Sequence, residues 1–265
     1  MDIVILRDSA AVAAEGARRV RTLLHKKRDA VLGLATGGTP LAMYRRLVAD
    51  YEQGRVSFAK AITFNLDEYV GLGADDPQSY RYYMNRELFD KTDILHSNTH
   101  LPVCADGDDP DSVGPVYEAA IRAAGGIDLQ ILGIGRNGHI GFNEPTSSLR
   151  SRTRVKTLTR ETLESNSRYF DDPARQPKIA ITMGIATIQE AAAVLLLATG
   201  EAKAEAVQQM IEGPVSAMWP ATALQLHEKA TVLIDDAAAS RLQQRDYYDW
   251  ISEQRRALES QYGGG

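Results

Sequence analysis

Three short stretches of this chain hold proton-moving or anion-binding groups where backbone turns can present them. The first is FNLDEYVGL (64–72), in which Asp67 and Glu68 directly follow an apolar run. A carboxylate at the end of a buried strand is well placed to be a general base, although adjacent acids are equally common as solvated loop charges. The residues alone leave open which of the two faces inward. The second is GIGRNGHIGFNEP (133–145), where Asn137, His139 and Glu144 sit among glycines. An imidazole moves protons near neutral pH and needs an orienting partner to hold one tautomer. Asn137 and Glu144 supply that company, whereas His25, His96, His100 and His227 lack it and read as structural or surface residues. The third is ATGGTP (35–40), a glycine turn whose successive N–H groups and positive helix end can take an anion. Thr36 and Thr39 add hydroxyl donors. Without the Gly-Lys-Ser/Thr ending of a nucleotide P-loop, the turn suits a sugar monophosphate better than a triphosphate. Read on its own, it is as well explained by a plain tight turn with a good cap.

Gly133, Gly135 and Gly138 also have the G-x-G-x-x-G spacing of a dinucleotide fingerprint. That fingerprint should open a helix and meet an acid about 20 residues further on. Here Gly141 and Pro145 interrupt any helix, and the stretch near 155–158 is VKTL, with no acid. The dinucleotide reading fails. His139 and Glu144 are also spaced wrongly for a helical zinc pair, with no third ligand nearby.

These groups need elements to position them. Apolar runs IVIL (3–6), VLGLA (31–35), AITFNL (61–66), DLQILGI (128–134), KIAITMG (178–184), AVLLLATG (193–200) and ATVLID (230–235) alternate with helical patterns. Most lack polar alternation, as strands covered on both faces do. The spacing predicts a helix from Ser9 to about Lys27. A second is predicted with Thr39 as N-cap, Pro40 at its first position and Gly54 past its end. This is an α/β fold with an open, mainly parallel, Rossmann-like sheet flanked by helices, in a single domain over residues 1–262. The closing GGG (263–265) is set aside as a tail. Such sheets bind ligands beyond the carboxyl ends of their strands, where all three stretches fall. The segment from Ser147 to about Pro177 is polar and basic, with no apolar strand. It reads as a surface excursion or as a lid spanning about 147–183.

Composition narrows the partners. The formal net charge of −5 argues against nucleic acid and anionic membranes. Cys104 is the single cysteine, which excludes an intramolecular disulfide framework and fits a cytoplasmic setting. The start MDIVILRDSAAV is too short in its apolar run and too acidic for a signal peptide, and no stretch has the ~20 apolar residues of a membrane span.

Taken in order, LGLATGGTP, FNLDEYVGL, LGIGRNGHIGFNEP, SSLRSRTRVKTL, NSRYF and MWPATALQLH resemble the glucosamine-6-phosphate deaminases from about Val31 to Tyr247. The resemblance implies conversion of glucosamine 6-phosphate and water to fructose 6-phosphate and ammonia, with no metal or organic cofactor. It implies Asp67 as the base at C2, His139 as the ring-opening acid/base assisted by Glu144, and Asn137 in the remaining active-site position. Relatives carry Asp or Asn there; Asn137 can orient His139 or bind substrate but takes no full negative charge. The phosphate would rest on Gly37, Gly38 and Thr39 with Arg168 and Lys203, and Arg168 falls in the lid segment. Some members are hexamers activated by N-acetylglucosamine 6-phosphate between subunits. The matching positions are Ser147, Arg154, Lys156, Thr157 and Tyr247, so a homo-oligomer is expected. The rival readings are a related sugar-phosphate enzyme such as a 6-phosphogluconolactonase, and a non-catalytic sugar-phosphate sensor. The DEY stretch disfavours the first. The sensor would leave Asp67, His139 and Glu144 without a purpose.

Overall fold

Seven strands form one wholly parallel sheet: β1 (Asp2–Leu6), β2 (Val31–Leu34), β3 (Ile62–Asn65), β5 (Thr99–His100), β6 (Leu129–Leu132), β9 (Val194–Ala198) and β10 (Ala230–Asp235), in spatial order β1-β10-β9-β6-β2-β3-β5. The computed structural model describes residues 1–105, 107–166 and 176–262. Strand side chains alternate between two apolar layers. Leu32, Leu34, Ile131, Leu195 and Leu197 face one layer, and Val31, Phe64, Leu132, Leu196 and Ile234 face the other. This is why the runs carry no polar face.

Helices α1 (Ser9–Lys26) and α2 (Gly38–Glu52) cover the first layer. Asp8 caps α1 by accepting from Ala11 N at 2.8 Å, and Val12, Ala13, Ala17, Val20 and Leu24 form its buried stripe. Helices α4 (Pro110–Ala123) and α7 (Ala204–Glu212) cover the second layer through Tyr117, Ile121, Val207 and Met210. Helix α3 (Tyr80–Glu87) packs beside α2, the short α6 (Ile185–Gln189) joins the second layer through Ile188, and α8 (Arg245–Tyr262) packs on the edge strand β1. Among the described residues, no helix is long and apolar enough to cross a membrane.

A second sheet departs from the sequence expectation. β4 (Asp67–Tyr69), β8 (Ile179–Thr182) and β7 (Arg154–Thr157) form an antiparallel trio in the order β4-β8-β7. The KIAITMG run is therefore a strand, but it lies outside the parallel sheet. The 147–177 segment has no apolar strand, as expected, but it does contain a polar one, β7, followed by α5 (Arg160–Asn166). Strand β8, at the far end of the expected lid range, is the middle strand of the trio, with Ala180, Ile181 and Thr182 fully buried. The second helix also starts earlier than expected. Gly37, not Thr39, is the N-cap of α2, and its φ of +109° makes a reversal that a residue with a side chain rarely adopts. The helix therefore begins at Gly38, and Pro40 sits within its first turn, where its missing N–H costs no helical bond.

Candidate active site

The loops carrying the expected site residues leave one edge of the sheet. All seven strands are parallel, so the chain after β9, β6, β2 and β3, four consecutive neighbours, emerges at their shared carboxyl end. The strand order reverses between β2 and β6: β2, β3 and β5 build outward one way, and β6, β9 and β10 the other. A crevice at such a switch point is where open α/β sheets hold ligands.

Asp67 and Glu68 point to opposite faces of β4, and their environments separate them. Glu68 accepts from the backbone N–H groups of Tyr69 (2.9 Å), Tyr80 (2.9 Å) and Arg81 (2.8 Å), the last two at the start of α3. It is spent on holding that helix end. Asp67 is 6% exposed, and among the described residues no hydrogen bond ends on its carboxylate. Burial first, and then the charge of Glu68, push its pKa up to about 8. Above it lies Gly141, at φ +57°. A Cβ there would stand 2.9 Å from Thr182 Oγ1 and 3.4 Å from Asp67 Oδ2, so a bare backbone is needed for the His139 loop to cover Asp67.

Within that loop the hydrogen bonds determine a tautomer. Asn137 Nδ2 donates to Glu144 Oε2 at 2.8 Å. A carboxylate only accepts, so the amide oxygen of Asn137 is the end that faces His139. His139 Nδ1 lies 2.7 Å from that oxygen and therefore carries the proton, with Glu144 Oε2 a further 3.4 Å contact. Nε2 is left as the nitrogen that takes a proton and returns it. Glu144 is 3% exposed. Burial acts to raise its pKa, but the bond and charge of His139, with donors from Thr162 and Asn137, hold it at about 2. Thr162 Oγ1 donates to Glu144 Oε1, and Thr159 Oγ1 reaches the same oxygen at 3.3 Å. Gly135 leaves room for the His139 ring, which a Cβ there would strike. Just past the loop, Thr146 is held at φ +75°, a strained setting for a β-branched residue, with its N–H donating to Ala217 O at 2.8 Å.

Two further residues fasten the loop. Asn143 Nδ2 donates to Ile140 O (2.9 Å) and Met183 O (2.8 Å), and its Oδ1 accepts from Arg154 Nη1 (2.9 Å). Thr182 Oγ1 accepts from Phe142 N at 3.0 Å. Asn143 lies inside the quoted GFNEP stretch. Thr182 and Thr162 carry no signal in the sequence, because their roles arise from chain segments that meet only in the fold.

At the anion turn, Gly37 O accepts from Leu41 N (3.3 Å) and from Tyr83 Oη (2.9 Å). A Cβ at Gly37 or Gly38 would meet nothing within 4 Å, so the turn lies open to a ligand. Lys203 is half-buried just after β9, at the same edge of the sheet. Arg168 lies outside the described residues.

The positions matched to an activator site are only partly brought together. Ser147 donates its N–H to Glu144 O at 3.0 Å and has a buried hydroxyl without a partner among the described residues. Arg154 and Lys156 share one face of β7, and Thr157 is exposed on the other. Tyr247 stands apart on α8, 56% exposed and in ring contact with Tyr248.

Residues 8–233 match a family model described as glucosamine-6-phosphate isomerases/6-phosphogluconolactonase. A glucosamine-6-phosphate deaminase of Shewanella loihica is 55% identical over 98% of this chain and 97% of its own length. One of Cellvibrio japonicus is 54% identical over 99% of this chain and 100% of its own. Among solved structures, a monomeric glucosamine-6-phosphate deaminase superimposes with a TM-score of 0.88 at 45% identity, covering 91% of this chain and 99% of that one. A 6-phosphogluconolactonase from Trypanosoma cruzi shares the fold, with a TM-score of 0.72 at 20% identity over 91% of this chain and 97% of its own.

Proposed function

The chain belongs to the family of glucosamine-6-phosphate isomerases and 6-phosphogluconolactonases, and from that membership we propose its reaction. It is an enzyme of carbohydrate metabolism that deaminates glucosamine 6-phosphate, giving fructose 6-phosphate and ammonia. The relatives that match at 54–55% identity carry this activity in their names, whereas the lactonase likeness extends to the fold alone. The observation that carries the reading is the meeting, at one sheet edge, of an open anion turn, a buried carboxylate that accepts no hydrogen bond among the described residues, and a tautomer-fixed histidine.

The chemistry follows from those groups. The phosphate sits on the N–H groups of Gly38 and Thr39 beside the Gly37 turn, with Lys203 and Arg168 as its cations. His139 Nε2 shuttles the proton of ring opening: the C1–O5 bond breaks, O5 gains a proton, the C1 hydroxyl loses one, and an aldehyde forms. Asn137 and Glu144 keep Nδ1 protonated throughout. Asp67 then takes the proton from C2 as the aldehyde oxygen gains one, and the ammonium gives up a proton to water, leaving an enolamine. Returning a proton to C1 leaves an iminium at C2. Water adds to that carbon, ammonia leaves, and the ketose remains. Each positioned acid or base is worth about 10²–10⁴-fold.

Activation belongs to the same proposal. Ser147, Arg154, Lys156 and Thr157, with Tyr247 from a second subunit, would hold N-acetylglucosamine 6-phosphate in a homo-oligomer, hexameric in the form the resemblance implies. The reaction would then serve amino-sugar catabolism in the cytoplasm, downstream of N-acetylglucosamine breakdown.

Ammonia release from glucosamine 6-phosphate tests the core of the reading. Wild type should turn over robustly. Asp67→Asn should lose nearly all activity while inorganic phosphate still binds. A fully active Asp67→Asn would remove Asp67 as the base.

A further inference from the structure

Glu144 is fastened from two sides, and the second fastening comes from outside its own loop. One oxygen, Oε2, faces Asn137 Nδ2 and His139 Nδ1. The other, Oε1, accepts from the hydroxyls of Thr162, in the first turn of α5, and of Thr159, just before that helix. Thr162 is 4% exposed, so water does not replace it easily. The two threonines are themselves locked together. Thr159 Oγ1 lies 3.1 Å from Thr162 Oγ1 and accepts from Thr162 N at 3.2 Å, as an N-cap hydroxyl does. Leu163, next along the helix, packs into the cluster of Tyr69, Phe142, Leu158 and Ala180 beneath the His139 loop.

Without Thr162, Oε1 keeps only the long 3.3 Å contact of Thr159, and a carboxylate held that loosely at one end can rotate about its terminal bond. Asn137 would then lose the fixed acceptor that decides which way its amide faces, and with it the reason His139 carries its proton on Nδ1. We propose that Thr162 is a positioning residue for ring opening: its hydroxyl holds the Glu144 carboxylate that, through Asn137, sets the tautomer of His139. It touches no substrate. The proposal rests on the reading of His139 as the ring-opening group, and its test has a readout that does not depend on that reading.

The test uses Thr162→Val, which keeps the shape and removes the donor, and Thr162→Ser, which keeps the donor. Nitrogen-15 NMR of the His139 ring, without substrate, should show one Nδ1-protonated tautomer in wild type and in Thr162→Ser, and a mixture in Thr162→Val. With glucosamine 6-phosphate, kcat of Thr162→Val should fall about 10- to 100-fold, the scale of one lost bond to a charged group. KM and inhibition by inorganic phosphate should stay put, and Thr162→Ser should recover most of the rate. A single tautomer with wild-type kcat in Thr162→Val overturns the proposal. So does an equal loss in both variants, which would mark a merely structural role. A wild type that releases no ammonia while the tautomers still divide overturns the reaction assignment and leaves the positioning intact.

Discussion

At the scale of single residues, Asp67 presents a conflict whose resolution is measurable. With its pKa near 8, most of the empty enzyme carries a protonated Asp67 at neutral pH, which cannot act as a base. A bound amino sugar brings an ammonium group next to C2, and a nearby cation favours the ionised carboxylate. The pH profile of kcat/KM, which reports the free enzyme, should therefore rise toward pH 8, while that of kcat should rise at lower pH. Coincident limbs would contradict this account. Stability should move oppositely. The folded-state pKa lies above the ordinary value of 3.8, so the folded protein holds this proton longer than the unfolded chain does. Stability contributed by neutral Asp67 is present below about pH 4 and drains away as pH rises toward 8. Asp67→Asn, inactive, should thus melt higher than wild type, with an advantage that grows across that window. Little of this was legible in the sequence, where Asp67 and Glu68 are adjacent and equivalent. Their difference comes from α3, whose free N–H groups claim Glu68, and from the His139 loop, which closes over Asp67.

At the scale of elements, what the sequence disclosed depended on where each element finds its stability. Strands such as VLLLA (194–198) bury both faces, so their apolar runs announce them. The strands DEY (67–69) and RVKT (154–157) are short and polar, and they exist because β8 pairs with each. Pairing of that kind leaves no mark on local composition. The anion turn was legible as glycines before a helix, but its orientation was not. Gly37 O is held by Tyr83 Oη, a residue 46 positions away on α3. In a trans peptide the N–H points opposite to the carbonyl, so that bond fixes the direction of the Gly38 N–H on which the proposed phosphate site depends. Tyr83→Phe should therefore weaken phosphate capture specifically. KM for glucosamine 6-phosphate and the inhibition constant of inorganic phosphate should both rise about 5- to 10-fold, the worth of one neutral hydrogen bond, with kcat little changed. A fall in kcat at constant KM would place Tyr83 in the chemistry instead.

At the scale of the whole molecule, the proposed activator positions do not form one site within one chain. Ser147 and Arg154 adjoin the His139 loop, and the arginine reaches it through Asn143. Tyr247 sits at the start of α8, where the neighbouring Tyr248 Oη donates to Glu212 on α7, and the helix then runs against the edge strand β1. Among the described residues no contact joins Tyr247 to the other four. If the five hold one sugar phosphate, Tyr247 must come from another copy, and activation cannot occur without assembly. The exposed side of α8 suits such a contact: Tyr247, Trp250 and Leu258, each 56% exposed, recur at helical spacing along it. A deaminase with a TM-score of 0.88 to this chain is monomeric, so the oligomeric state of this one has to be measured. Two measurements are thereby tied together. Sedimentation should find wild type larger than a monomer, and N-acetylglucosamine 6-phosphate should shift its glucosamine 6-phosphate saturation curve to lower concentration. Trp250→Lys should yield monomers that keep Asp67-dependent turnover and no longer respond to the acetylated sugar. A monomeric wild type that still responds would break the link between assembly and activation. A wild type with unchanged saturation curves would remove the activator site itself.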